Sequence, residues 1–371
     1  MAQVSSQLEL QQALIANDPL IEVIESFSIA AQMSISYPAT IKSACGIAQP
    51  AITRASGFTI EPMFFVPDGG ALTLDSITVN GNGVMSSSAA IVTRGALTLT
   101  NATVTNAFSA DNGGGIRVED GGVLTLLSSF VIYSGAQSGG GIYVADGGSA
   151  ALFCSGVDRN TADISGGGIY IANGGTLEGY SSSTYGNSAP AGTGIYNAGF
   201  LGVAEEVMLT DGVYIPSREN AIVVLSRLAC ACIQLEASAY INSATSDAPV
   251  TVAVGTASYP VLSRQDVCAF KLPADDLSGR YLSLGTEGGA VLLNVYPEYS
   301  ITYENLMGAV NQNPPTYSEP ALPLFFTSLN RTGDFVFAGW FTQSLGGQPV
   351  TFLPRGTVGD IVLFARWNRL R

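Results

Sequence analysis

Gly113-Gly-Gly-Ile116-Arg-Val118, Gly139-Gly-Gly-Ile142-Tyr-Val144, Gly166-Gly-Gly-Ile169-Tyr-Ile171 and Gly192-Thr-Gly-Ile195-Tyr-Asn197 are four copies of one phrase, their starts 26, 27 and 26 residues apart. Self-similarity at a period of this size marks a solenoid, because such a unit cannot bury its apolar face alone and does so by stacking on its neighbours. A turn and an alternating apolar run complete each unit: Asp120-Gly-Gly-Val-Leu124-Thr-Leu126, Asp146-Gly-Gly-Ser-Ala150-Ala-Leu152 and Asn173-Gly-Gly-Thr-Leu177. Two earlier stretches, Asp68-Gly-Gly-Ala-Leu72-Thr-Leu74 and Arg94-Gly-Ala-Leu97-Thr-Leu99, keep this second half.

Side chains alternate along a strand, so Ile116 and Val118 face one side with Leu124 and Leu126, and Arg117 and Thr125 face the other. Each unit reads as two or three short strands joined by glycine turns, with no room for a helix. Asp-Gly and Asn-Gly recur because those corners need positive φ, which requires no ligand. The leucine-rich-repeat frame is missing, and a propeller blade needs roughly 40 residues. The reading is all-β: a right-handed parallel β-helix whose coils stack about 4.8 Å apart.

The GGGI-x-V and [DN]-GG-x-L-x-L phrases resemble those of the pectate-lyase-like and adhesin-like β-helices of bacterial surface proteins. They specify architecture and say little about activity. Composition is consistent with an extracellular scaffold: 43 glycines, 12% charged residues, no histidine and a formal charge of -14. Residues 1–297 hold 10 basic and 24 acidic groups and residues 298–371 hold 5 of each, so the net charge lies on the solenoid. Without a basic footprint, nucleic acid is not an expected partner. No apolar run approaches the roughly 18 residues of a membrane span. Met1-Ala2-Gln3 enters structured sequence without the regions of a signal peptide. Either the protein is cytoplasmic or this is a mature segment of a longer cell-surface protein; the resemblance favours the second, and with it an extracellular, cell-surface or cell-wall location.

The solenoid is expected over 1–297. Its N-terminal cap, about 1–20, begins with a capping box in which Ser6 and Glu9 serve each other's backbone, and Leu10, Ala13 and Leu14 give the helix an apolar face to close the first coil. Strands follow at Ile21–Ile24 and Ala39–Ile41. From about 205 to 297 the phrase decays through Gly212-Val-Tyr214-Ile215 into irregular final coils, a separate small β domain being the alternative. Over 298–371, Ile301-Thr-Tyr303-Glu-Asn305-Leu-Met-Gly308, Phe335-Val-Phe337-Ala-Gly339-Trp340-Phe341 and Leu363-Phe364-Ala365-Arg366-Trp367 resemble the Listeria-Bacteroides repeat, the B-repeat of internalin-type surface proteins. That resemblance implies a small β-grasp-like fold and a spacer or envelope-associated unit. Gly308-Ala309 departs from the usual Gly-Gly, and a single repeat is present. Alternation alone puts Ile361, Leu363, Ala365 and Trp367 on one face, with Trp340 as core partner across the sheet.

Without histidine there is no Ser-His-Asp triad, Cys-His pair or ordinary zinc site. Glu205-Glu206 and Asp275-Asp276 are adjacent, so in a strand each pair points to opposite faces and reads as solvated charge. Asp120, Asp146 and Asn173 share a corner of successive coils; turn chemistry explains them, and calcium, which takes oxygen ligands, is the weaker alternative. Arg94 between Asp68 and Asp120 relieves like-charge repulsion there. A Thr73, Thr98, Thr125 ladder faces outward. The position after each Gly-Ile step, Arg117, Tyr143, Tyr170, Tyr196 and then Tyr214, stacks into an exposed aromatic ladder. Such a ladder suits glycans or host surface proteins, or merely braces adjacent strands. Five cysteines, Cys45, Cys154, Cys230, Cys232 and Cys268, show no framework spacing and are expected as buried thiols. The expected function is a non-enzymatic, adhesin-like surface protein without cofactor. The alternatives are a polysaccharide lyase or hydrolase on the β-helix and a purely structural stalk.

Overall fold

A regular turn of the molecule runs through Ala96–Thr100, Thr103–Thr105, Phe108–Ser109 and Ile116–Val118 before the next begins at Val123. Four strands form each of the regular turns between Ala71 and Ile171, and three the turn from Thr176 to Asn197, where sequence suggested two or three. The computed structural model describes residues 1–272, 280–331 and 333–370. It is mostly β and contains a parallel β-solenoid of about eight turns. Two compact units emerge, one built from most of residues 1–293 and the other from Asn294 onward with two short earlier segments.

In the solenoid, equivalent residues pair in register from turn to turn: Thr98 with Thr73 and Thr125, Val104 with Val79 and Val131, Ile142 with Ile116 and Ile169. The inward columns are apolar. Leu74, Leu99, Leu126 and Leu152 form one and Val79, Val104, Val131 and Val157 another, with no member more than 3% exposed. Each such side chain contributes roughly 1.5–3 kcal/mol on full burial, and stacking is what completes that burial.

The triple glycine has a separate reason at each place. The first, at Gly113, Gly139, Gly166 and Gly192, adopts φ of +74°, +63°, +65° and +63°, the left-handed region that a Cβ disfavours. At the second, Gly140, a Cβ would lie 2.1 Å from the Thr161 carbonyl oxygen. At the third, Gly141, it would lie 2.7 Å from Val157 Cγ1 inside the coil. In the second place of the last copy Thr193 replaces glycine, and there the Glu236 carboxylate accepts from the Gly192 and Thr193 amides and the Thr193 hydroxyl.

Two further corners take left-handed backbone mostly without glycine, Gly186 in register after Arg159 being an exception. Asn101, Ser128, Cys154 and Ser181 adopt φ of 46–48°, and Asn106, Tyr133 and Arg159 adopt 50–55°. The strain is offset by buried polar ladders beside them. Ser129, Ser155 and Ser182 hydroxyls accept from the Ala102, Ser129 and Ser155 amides, while Asn160 and Asn187 side chains accept from the Ser134 and Asn160 amides. These corners also correct the expectation of buried thiols: Cys45, Cys154, Cys230 and Cys268 are exposed, Cys232 is partly so, and none is bonded to another. Cys154 and Cys230 sit at left-handed corners, where the side chain is turned out of the coil.

One inward column is interrupted. Leu152 is followed by Gly179 and then Val203, beside a void of about 20 Å³ lined by Leu152, Leu177, Val203 and Val207 among others. A Cβ on Gly179 would meet Val207 Cγ1 at 3.9 Å, an ordinary contact, and the backbone there is not left-handed. Gly179→Ala is therefore expected to stabilise the chain by roughly 0.5–1 kcal/mol. Denaturant unfolding reads this directly, and a loss of stability would contradict the packing described.

At the N-terminus the helix Gln7–Ile15 buries Leu10, Ala13 and Leu14 as expected, and Ser6 Oγ accepts from the Glu9 amide. The reciprocal half differs: Glu9 accepts from the Ser5 amide and hydroxyl instead of Ser6. Ahead of it, the strand Ala2–Val4 pairs with Leu20–Val23 and extends the first sheet. The late coils are continuous with the regular ones, since Ile222–Leu228 stacks in parallel on Phe200–Glu205 and Val250–Gly255 on Ile222–Leu228. Short helices at Ala239–Asn242 and Arg264–Ala269, absent from the sequence reading, are inserted among them. The last strand, Ala290–Val295, runs antiparallel to Val250–Gly255, so the sheet ends in a reversal and not in another coil.

The second unit centres on a mixed sheet in the order Thr316–Tyr317, Tyr299–Glu304, Ile361–Arg369, Phe335–Phe341, Pro349–Val350. Its middle pair, Tyr299–Glu304 with Ile361–Arg369, is parallel. Trp340 lies opposite Ala365 in a core with Ile301, Tyr317, Leu322, Leu329, Leu353 and Leu363, and its indole donates to the Thr327 carbonyl at 3.0 Å. The alternation read from sequence thus places these residues correctly.

Candidate functional site

Outward residues at the position after each Gly-Ile step fall into one column because the phrase fixes the register. Arg117 pairs with Tyr143, Tyr143 with Tyr170, Tyr170 with Tyr196 and Tyr196 with Tyr214. The four rings stack with centroid separations of 5.1, 5.0 and 4.9 Å and interplanar angles of 3°, 7° and 14°. All four tyrosines are partly buried. In this arrangement each ring face is turned to its neighbour, so the ladder presents ring edges and hydroxyls. None of the four hydroxyls has a protein partner among the described residues. Burial pushes the Tyr143, Tyr170 and Tyr196 phenols above their usual range, so they remain hydrogen-bond donors at neutral pH.

Ala145, Ala172 and Ala198, partly buried, lie two positions after Tyr143, Tyr170 and Tyr196.

Arg117, expected as the first rung, is occupied elsewhere. Its guanidinium donates to Asp111 at 2.7 Å and lies 3.4 Å from Glu119, which also pairs with Arg94. It is a bracket within one turn and not an open contact, and Glu119 carries the link to Arg94 before that turn. Period two was the missed signal, because Arg117 and Glu119 must share a face. Arg94 therefore finds its main partner in Glu119, with Asp68 a lesser influence.

Asp120 and Asp146 do line one open groove of about 620 Å³ with Asp68, Arg94, Arg117 and Glu119, while Asn173 lines a neighbouring one. Each aspartate folds onto the glycine of the following turn: a Cβ on Gly147 or Gly174 would lie 2.0 or 1.9 Å from the Asp120 or Asp146 carboxylate. Among the described residues no group of three or more acidic, cysteine or histidine side chains converges as a metal site. Of the paired carboxylates, Glu205 accepts from the Ser181 hydroxyl at 2.8 Å and Glu206 is exposed; Asp275 and Asp276 lie outside the described residues. Thr73, Thr98 and Thr125 form their ladder, preceded by Thr40 in the same register.

A second aromatic column went unread in the sequence. Phe153 stacks on Tyr180 at 4.9 Å and 9°, in register with Leu127. No helix among the described residues is long and apolar enough to cross a membrane. Comparison with known proteins gave no matching family, no similar curated protein and no similar solved structure.

Proposed function

We propose that this chain is a non-enzymatic, adhesin-like surface or secreted protein that engages a glycan or a host surface protein along the Tyr143, Tyr170, Tyr196, Tyr214 ladder. The observation that carries the proposal is a row of four phenols whose rings stack at a fixed spacing and whose hydroxyls have no partner among the described residues. Because stacking uses the ring faces, recognition works through hydrogen bonds at the ring edge and not through a sugar lying flat on an aromatic. The acidic solenoid favours a neutral or cationic ligand. The second unit, with its resemblance to the internalin-type B-repeat, acts as a spacer or envelope-associated module.

Replacing Tyr143, Tyr170 and Tyr196 together by phenylalanine keeps the stack and removes three donors. At about 0.5–1.5 kcal/mol per hydrogen bond, binding to a glycan array or immobilised mucin should fall by at least about tenfold, with unfolding unchanged. Undiminished binding by the phenylalanine variant would remove the face. If the tyrosines only brace the coils, alanine at the same positions lowers stability while phenylalanine changes nothing.

A further inference from the structure

We infer that a groove on the second unit, lined by Asn305, Met307, Phe341, Leu345, Arg366 and Trp367 among others, binds an acidic, partly apolar peptide segment. The groove has a volume of about 460 Å³ and no carboxylate in its lining. Arg366 lies 3.9 Å over the Phe341 ring and donates one N–H to the Gln343 carbonyl, while its Nε is buried and has no partner. Arg331 lies 5.4 Å from the Phe335 ring centroid and 6.0 Å from that of Trp367, and both rings line the groove. Neither arginine pairs with a carboxylate among the described residues. Glu304, on the same outer face in register with Phe364, makes no ion pair with Arg366.

A guanidinium held by an aromatic ring differs from one held by a carboxylate. Stacking fixes the plane and leaves in-plane N–H groups free for a planar oxyanion, bidentately where both reach. The charge of the groove is thus open and positive, and its partner must bring the negative charge. The apolar lining requires more than charge. Met307, Phe341 and Leu345, the last 87% exposed, need apolar side chains beside the carboxylate, which a peptide mixing glutamate or aspartate with leucine supplies. Main-chain bonding is also on offer. Phe335–Phe341 is partnered by Pro349–Val350 at Trp340 and Phe341, so among the described residues Phe335–Ala338 has no strand on that side, an edge of the kind that extended peptides extend. Arginine and tryptophan together are the residue types that dominate such contacts.

The test titrates the full chain with a synthetic peptide of alternating glutamate and leucine, following tryptophan fluorescence. Trp367 lines the groove and Trp340, the other of the two tryptophans, is in the core. Saturable binding that weakens with salt and at least tenfold on Arg366→Gln is expected, with no binding of a lysine–leucine counterpart. Circular dichroism checks the variant; if it has lost structure, Arg331→Gln, on an exposed residue, is judged by the same criterion. Binding unaffected by these replacements overturns the inference. So does equal binding of polygalacturonate, which would make the groove a site for carboxylate charge alone, and so does concentration-dependent self-association abolished by Arg366→Gln, which would make the occupant a second copy.

Discussion

Replacing Gly140 by alanine is expected to destabilise the solenoid by more than about 3 kcal/mol, well beyond the usual single substitution. The added Cβ would sit 2.1 Å from the Thr161 carbonyl oxygen and 2.4 Å from that of Gly167. Both are main-chain atoms of the following turn, and no rotamer change relieves the clash. Gly140 itself donates to the Gly166 carbonyl at 3.0 Å, so moving it strains the hydrogen bonds that couple the turns. Stability in a stacked array resides largely in such nearest-neighbour interfaces, and one interface must open. Gly69→Ala is the control. Gly69 has φ of +75° and nothing within 4 Å of its would-be Cβ, so it should lose only the left-handed penalty of about 1–2 kcal/mol. Urea unfolding followed by circular dichroism compares the two, and equal costs would mean that the repeat is conserved along the chain for turn conformation alone.

The same contrast explains what could be read from the chain. GGGI was legible because three different constraints demand glycine at adjacent places and the isoleucine that follows has to point inward. The remaining corners were not. Asn101, Ser128, Cys154 and Ser181 share a conformation, but their side chains leave the coil and nothing forces them to be alike. With those corners hidden, the strands Thr103–Thr105 and Phe108–Ser109 also went unseen, and a four-strand turn read as a shorter one. The tyrosine column was legible for the same reason as the glycines, since register follows from the phrase. That its faces are consumed by stacking was not, because side-chain torsions are decided by neighbours one turn away. Arg117 shows the opposite failure: its partner Glu119 was visible two residues on, while Asp111 reaches it from the preceding corner.

Arg54 is the point where sequence alone misleads most, because a cation occupies an inward column. It stands in register with Ile29 and is only 2% exposed. Its guanidinium donates to the Phe58 and Glu61 carbonyls at 2.9 Å each and to Ser86 Oγ at 3.2 Å, and it lies 4.8 Å from the Phe58 ring centroid. Burial pulls its pKa down to about 10, so it remains charged at neutral pH. Both carbonyl partners belong to the loop between Arg54 and Met63, and the arginine is the pin on which that loop is wound. Arg54→Ala should cost about 3–5 kcal/mol, since it leaves a cavity and strands buried acceptors. Arg54→Met fills most of the stem and removes the charge along with its desolvation penalty, so it should cost distinctly less. Arg54→Lys retains charge but replaces a planar fork with a point donor, and should recover little of what alanine loses. Thermal unfolding ranks the three, and limited proteolysis between Ala55 and Met63 reports the loop separately. If methionine is nearly as stable as the parent chain and the loop stays protected in both variants, the arginine fills space and does not hold the loop.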